Sequence, residues 1–521
     1  MAGMEDAVTL IIAALESGDR ICIYGDYDVD GMTSASTLFL FLKECGHDIR
    51  VFLPNRFRDG YGLNTERIKD LVAEGTKLFI SVDCGVSAFE PIKTARELGA
   101  KVIVVDHHQL PVGDLPDANA IINPLRPDCP YPFKLMCAAG LTFHLVLALR
   151  ARMRSQGWFV ERPEPDVRRL LDIVAIGTVA DVVPLHGINR ILVTNGLQRM
   201  SESPHPGVRA LIAVAAPNRQ LTASTVGFQL GPRLNAAGRL SSPMKGFELL
   251  TTDDLDVARQ IAEDIDEENQ RRRGVQDTIE KQALEQATNE LGSDAPAYVL
   301  WSADWHPGVA GIVASRVVER FHRPAALIAV QDGVAKGSIR SIRGFDAVAG
   351  LRECSDILEA FGGHAHAAGV TLNPDNLPAF RTAFAKAAEN MTPEAMLQPR
   401  LDLDAEVVFR QVDWRLIDAI EALAPFGSGN REPRFFSRDV RVSTSRTVGA
   451  DGSHLKLVLD QDGRRFPAIA FGRGEDAPEV GTLIDVAFRP EVNEYKGQVS
   501  LQLRVIDFKS AGVEVIPVSS D

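Results

Sequence analysis

Residues 20–36, RICIYGDYDVDGMTSAS, decide how the first half of the chain is read. A short apolar run, Ile21-Cys22-Ile23, is followed at once by Asp26, Asp28 and Asp30 on alternate positions, then by a segment (33–45) with apolar residues at helical spacing. So short an apolar run leading into a helix reads as a strand buried on both faces. The pattern repeats. Strands are expected at 49–54 (IRVFLP), 77–83 (KLFISVD), 101–106 (KVIVVD) and 119–124 (NAIINP), with amphipathic helices at 64–74 and 87–98. Strands alternating with helices predict a mainly parallel sheet, an α/β architecture.

Further along, residues 252–291 carry Val257, Ile261, Ile265, Val275, Ile279 and Ala283 on one stripe of a charged segment. As a single helix this would be about 60 Å long, which predicts a bridge between domains with a break at Gly274. A second alternating segment, 295–395, has strands at 297–302 (AYVLWS) and 325–330 (AALIAV). After Pro399 come short alternating strands separated by Asp451-Gly452, Asp462-Gly463 and Lys496-Gly497. These predict a small barrel near 430–510 and a frayed tail after Lys509. A chain of 521 residues needs several cores.

Composition narrows the function classes. No run of about 18 apolar residues exists, and the first 20 residues carry acids where a secretory signal would be basic. Six cysteines without a CxxC pair read as reduced thiols; a cytoplasmic protein without membrane attachment is expected. The net charge of -14 argues against nucleic-acid binding through overall charge, so a polyanionic substrate would need focused Lys and Arg or metal ions.

Acids end two more strands, Asp83 in VDCG and Asp106 in VVDHH with His107 and His108, and Asp181 follows in GTVADVVPL. In an open parallel sheet the carboxyl ends of the strands form the ligand crevice, so these residues can converge. Crowded carboxylates repel one another unless cations compensate, and oxygens with imidazole suit manganese or magnesium. Two such ions stabilise both the attacking and the leaving oxygen of a phosphate displacement. One Asp at a strand end is ordinarily a turn former or helix cap, and a lone HH pair is ordinarily solvated. The joint pattern is what points to metals.

DYDVDG, VDCG, DHH and ADVVPL, in that order, resemble the four motifs of the DHH phosphoesterases. GPRLNAAGRL (231–240), WHPGVAGIVASRVVERF (305–321), GSIRS (337–341), FGGHAHAAG (361–369) and PFGSGNREPRF (425–435) are similar to the RecJ branch of that superfamily. The resemblance implies a DHH parallel-sheet domain (1–248), a long connecting helix (249–293), an α/β DHH-associated domain (294–398), a C-terminal OB-fold β-barrel (399–510) and a tail (511–521). It implies a monomeric 5'-to-3' exonuclease that degrades single-stranded DNA to 5'-mononucleotides in recombination and repair. Two Mn2+ or Mg2+ ions are its cofactors, and a single-strand-binding protein and a helicase its partners.

By the same resemblance Asp28 and Asp30 go to different metals, Asp83 bridges both, and His107 and Asp181 complete the second; His108 faces the scissile phosphate. Asp83, His107 and His108 form the catalytic set. Tyr24 stands where many members place a histidine ligand, which leaves Asp26 or water for the first metal. Ala138 and Ala139 replace frequent glycines, a neutral change. Several dozen residues precede GMEDAV (3–8) in such chains; a piece of that kind affects packing more than chemistry, since every motif lies after it.

His306 precedes Pro307-Gly308 at a helix start, with Arg316 in the third turn: an anion site and a clamp, although read alone an N-cap with a solvated arginine. Ser338, Arg340 and Ser341 form the DNA-gripping loop by resemblance. His364 follows two glycines, which suits close approach to a phosphate; read alone it is a turn into a helix. Arg233, Asn235 and Arg239 are placed on a glycine-bounded loop over the site mouth. The barrel carries Arg441, Arg446, Lys456, Arg464, Arg465, Arg473, Arg489 and Lys496, with Phe466, Phe471, Phe488 and Tyr495 as its few aromatics, so electrostatic guidance is expected more than stacking. Two rivals remain open here. A small-substrate DHH phosphoesterase would end near residue 395, and a non-enzymatic scaffold would have lost its metal-binding acids.

Overall fold

The computed structural model describes residues 1–512 apart from 56, 57, 61, 218, 219, 241, 450 and 496, and leaves out the side chains of Arg239, Leu240 and Tyr495. Lys496 and most of the expected tail thus fall outside the described residues. The chain divides into two compact units, Met1–Pro399 and Arg400–Asp521.

In the first unit β1 (Arg20–Gly25), β2 (Arg50–Phe52), β3 (Thr76–Val82), β4 (Lys101–Val105) and β5 (Ala120–Ile122) form a parallel sheet in the order β2-β1-β3-β4-β5. Alternation puts Ile21, Ile23, Ile80, Val82, Ile103 and Val105 into the large core on one face. It puts Cys22, Tyr24, Phe79, Val102 and Val104 into a second core on the other. Both faces are dry, which is why these strands read as continuous apolar runs. The chain steps from β1 outward to β2 and returns across β1 to β3. The β1/β3 junction is therefore a topological switch point, where strand ends open a crevice.

The helix Val29–Glu44 begins inside the acidic stretch. Asp28 is its N-cap, accepting from the Gly31 N–H at 3.0 Å. The long helix runs from Leu255 to Gln286, 32 residues or about 48 Å, and ends in a π turn, Ala287–Leu291. Its first half buries Ile261 and Ile265 in the core of the first sheet, and its second half buries Ile279 and Ala283 against the next domain. The expected break is absent: the helix passes straight through Gly274, where an added Cβ would meet no atom within 4 Å. Gly274→Ala is therefore expected to stabilise the protein by about 0.5–1 kcal/mol through helix propensity and a less flexible unfolded chain. This is read as a higher urea midpoint at unchanged m-value; a lower midpoint would contradict the open environment.

The second sheet, β6 (Tyr298–Ser302), β7 (Ala325–Gln331), β8 (Val334–Arg340), β9 (Ala360–His364) and β10 (Ala367–Leu372), runs β6-β7-β8-β10-β9. Only β6 and β7 are parallel. FGGHAHAAG forms the β9–β10 hairpin, not a turn into a helix. Its Gly363 has φ 141°, and a Cβ there would lie 2.4 Å from Ala367 O, so only glycine fits.

In the second unit β11 (Ala405–Glu406), β12 (Phe435–Val448), β13 (His454–Gln461), β14 (Arg464–Ala470), β15 (Leu483–Tyr495) and β16 (Gln498–Ser510) run β11-β12-β13-β14-β16-β15. Pairing of β12 with β15 closes the barrel around Leu455, Leu457, Phe466, Phe488 and Leu503. Among the described residues no helix is long and apolar enough to cross a membrane.

Candidate metal centre

Three adjacent strands each deliver an aspartate as the first residue past their end. The Asp26 N–H donates to Val82 O, that of Asp83 to Val105 O and that of Asp106 to Ile122 O, so the ladder carries each acid one step beyond its strand. Asp83 has φ 63° and Val182, next to Asp181, φ 60°. Left-handed backbone is uncommon for residues with a Cβ and rarer still for valine, so strain is stored on two sides of the crevice.

His107 is the hub. Its Nε2 lies 3.3 Å from Asp83 Oδ1, 3.6 Å from Asp181 Oδ2 and 3.7 Å from Asp30 Oδ2. Asp30 is fixed from behind by the N–H groups of Ala138 (2.7 Å) and Ala139 (2.8 Å), which open the helix Ala138–Ser155. That helix terminus sets its partial positive charge on the carboxylate. Asp26, Asp28 and Asp83 offer oxygens within 4.8 Å of one another. His108 stands beside them, its Nδ1 hydrogen-bonded to Asp106 Oδ1 at 2.8 Å. Asp106 also accepts from the N–H groups of His108 and Val86.

Crowding without cations shows in the acidities. Burial, reinforced by Asp28, pushes Asp26 up to about 7. Burial and the charges of Asp30 and Asp28 push Asp181 up to about 9. Burial likewise holds Asp30 and Asp83 above the usual carboxylate range. Asp106 goes the other way: burial would raise it, but the hydrogen bond and charge of His108 and the two N–H donors hold it low. Burial lowers His107, whereas His108 overcomes its burial through Asp106 and is raised.

A cation fits here. Asp26 Oδ1, Asp83 Oδ1, Asp181 Oδ2 and His107 Nε2 are buried without a hydrogen-bond partner. Each such atom costs about 1–3 kcal/mol if left unmatched, and three hard oxygens with an imidazole make a donor set for manganese or magnesium. Groupings of Asp26 with Asp28 and Asp83, and of Asp30 with His107 and Asp181, each bring ligand atoms within 4.8 Å, and Asp83 also groups with His107 and His108. Tyr24 takes no part: its ring packs 5.0 Å from that of Phe52 on the far side of the sheet, and its hydroxyl donates to Gly62 O at 3.2 Å.

Three family models match this chain. Residues 20–178 match the DHH family N-terminal domain, 294–390 the DHHA1 domain and 403–507 the RecJ OB domain. The single-stranded-DNA-specific exonuclease RecJ of Dickeya dadantii is 39% identical over 97% of this chain and 90% of its own length. The chain belongs to the RecJ family. It spans 63% of the RecJ of Bacillus subtilis, at 36% identity over 97% of this chain. The crystal structure of RecJ in complex with Mn2+ from Thermus thermophilus superposes with a TM-score of 0.84 at 31% identity, covering 98% of this chain and 72% of that one. A RecJ bound to manganese also matches, with a TM-score of 0.64 at 36% identity over 74% of this chain and 94% of that one.

Against this RecJ frame the expected substrate residues separate. A cavity of about 700 Å³ in the DHHA1 domain is lined by Ser338 and Arg340, by Lys336 on the same strand face, and by Gly362 and Gly363. Gly311 makes room there: a Cβ would lie 2.7 Å from the Arg340 guanidinium. His364 instead lines, together with His108, a second cavity of about 550 Å³. Two expected residues fall outside the lining of the first cavity, and one expected element needs correcting. Ser341 does not line the first cavity; its hydroxyl ties the following turn by donating to Phe345 O at 2.6 Å. Arg316 pairs with Glu319 at 2.7 Å and is half exposed, on the helix whose N-terminal residues Pro307 and Gly308 line that cavity. GPRLNAAGRL is a helix, Gly231–Leu240, not a loop. There Arg233 is buried and bonded to Asp266 of the long helix at 2.7 Å, a structural pair. Asn235 is half-buried on the same helix, and the Arg239 side chain lies outside the described residues. His306 caps its helix, its Nδ1 accepting from the Gly308 N–H at 3.0 Å.

On the barrel, register sets Arg446 opposite Lys456, Lys456 opposite Ile469, Ile469 opposite Arg504 and Arg504 opposite Arg489, a basic row across one outer face. Phe466 and Phe488 are core, while Phe471 is 54% exposed, with the Arg504 guanidinium 5.3 Å from its ring. Sequence reading missed Lys336, Arg504, Asp106's grip on His108 and the two amides behind Asp30. Lys336 was within reach, since a period of two along β8 puts it with Ser338 and Arg340.

Proposed function

We propose that this chain is a 5'-to-3' exonuclease that hydrolyses single-stranded DNA to 5'-mononucleotides with two Mn2+ or Mg2+ ions, acting in recombination and repair. One observation carries the reading: unmatched oxygens of Asp26, Asp83 and Asp181 and the His107 nitrogen converge at the switch point of a chain related along its whole length to exonucleases of that name. Asp26, Asp28 and Asp83 would hold one ion and Asp30, Asp83, His107 and Asp181 the other. When bound, such ions supply Lewis-acid stabilisation of the attacking and leaving oxygens.

The rest is the work of the chain. The N–H groups of Ala138 and Ala139 aim the Asp30 carboxyl. Asp106 holds the His108 ring so that its other nitrogen can donate to a phosphate oxygen as charge develops. Lys336, Ser338 and Arg340, with the glycines of β9, receive the phosphate of the terminal nucleotide. The basic row of the barrel guides the strand. We place the functional modules at 1–248, 249–293, 294–398 and 399–510, and the protein in the cytoplasm as a monomer that works with a single-strand-binding protein and a helicase.

The test is incubation with manganese and single strands labelled at either end. Early mononucleotide release from the 5' end is expected, with none in chelator. Release from the 3' end first, or none, would overturn the proposal.

A further inference from the structure

The cavity beside His108 differs in kind from the one in the DHHA1 domain. It measures about 550 Å³, well within the size range of small-ligand pockets, and His108 and His364 both line it. Its floor is apolar, with Leu63, Val86, Ala88 and Pro91. Phe89 lines it and is 46% exposed, so its ring is accessible to an occupant of the cavity. No Lys or Arg lines it among the described residues, and Glu90 does. A phosphate is therefore a poor occupant; a flat, neutral, partly apolar group is a good one. The neighbouring cavity, with Lys336 and Arg340, is the phosphate-like one.

We infer that the cavity lined by Phe89 is a nucleobase subsite, taking the base of the terminal nucleotide while its phosphates reach His108 on one side and β9 on the other. The inference rests on the exonuclease reading. Phe89 stacks on the base, and the backbone and side-chain polar groups at the rim meet its edge without selecting a sequence, because every base has a π-face. Base–aromatic stacking is sequence-tolerant and predicts a preference for base-bearing over abasic ends of roughly 5- to 10-fold.

The test uses the full chain and single strands ending at the 5' side in thymidine or in an abasic tetrahydrofuran residue. Wild type is expected to show a KM about 5- to 10-fold lower for the base-bearing end at similar kcat. Phe89→Ala should bring that ratio to within about 2-fold by raising KM for the base-bearing strand alone, with Phe89→Trp retaining it. Dissociation constants for the same strands, measured in chelator without turnover, should follow the same pattern. A Phe89→Ala protein that keeps the full ratio in KM and in binding, or that loses equally on both strands, overturns the subsite. If wild type releases no nucleotide but the binding ratio collapses in Phe89→Ala, the exonuclease reading fails and the subsite stands.

Discussion

Asp83→Asn is expected to lower the rate of nucleotide release by on the order of 10³-fold or more while single-strand binding stays within a few-fold. Asp83 groups with Asp26 and Asp28 and also with His107 and His108, and its Oδ1 lies 3.3 Å from His107 Nε2, which belongs to the other ion's set, so its loss is expected to disable both ions, whereas the cationic surfaces of β8 and the barrel are untouched. Asparagine is the better probe than alanine. Asp83 sits at φ 63°, a conformation that Asn tolerates and that costs alanine about 1–2 kcal/mol. With no metal present Asp83→Asn should melt at or above the wild-type temperature, because it removes an acid whose ionised form burial and four neighbouring aspartates oppose. Its manganese-induced gain in melting temperature should vanish. Wild-type turnover in Asp83→Asn would refute the bridging role.

The second large effect is a dependence of metal-free stability on pH. Asp26 and Asp181, raised to about 7 and about 9, bind protons in the folded state that an unfolded carboxyl gives up near pH 4. The folded state then holds more protons, so stability falls as pH rises through this window. Asp30 and Asp83 add to the fall. His108, raised by Asp106, contributes with the same sign as it loses its proton. His107, lowered, has given its whole contribution by about pH 7. Between pH 7 and 8.5 the metal-free protein is thus expected to lose on the order of 5 °C in melting temperature. Manganese should restore it by a margin that grows with pH, because protons no longer compete for the same oxygens. A flat metal-free curve, or a manganese shift independent of pH, would contradict the acidities assigned to the cluster.

Much of this site is legible in the sequence because Asp26, Asp83 and Asp106 come directly after their strands, and position at a strand end survives folding. What glycine and arginine do is less legible. GPRLNAAGRL reads as a loop because glycines bound it, yet Gly238 serves a close approach, where a Cβ would lie 2.8 Å from Tyr27 O. Its Pro232 closely follows a π turn, Val226–Leu230, that continues into this helix, so the missing N–H falls where the helical ladder has already shifted. Arg233 reads as a residue of the site mouth because its partner in the fold, Asp266, lies 33 positions away. In the same way, two glycines before His364 suggest a turn, whereas they form an edge strand whose pairing with β10 no local pattern announces. Tyr24 is visible as a departure; that its ring leaves the crevice follows from the strand's alternation, which puts it with Cys22 rather than Ile23.

The central claim is that these acids and His107 hold two divalent ions around Asp83. Anomalous diffraction at the manganese edge from crystals grown with Mn2+ tests it directly. Two peaks are expected, one among Asp26, Asp28 and Asp83 and one among Asp30, His107 and Asp181, both lost in Asp83→Asn. Peaks elsewhere, or none among these residues, would contradict it.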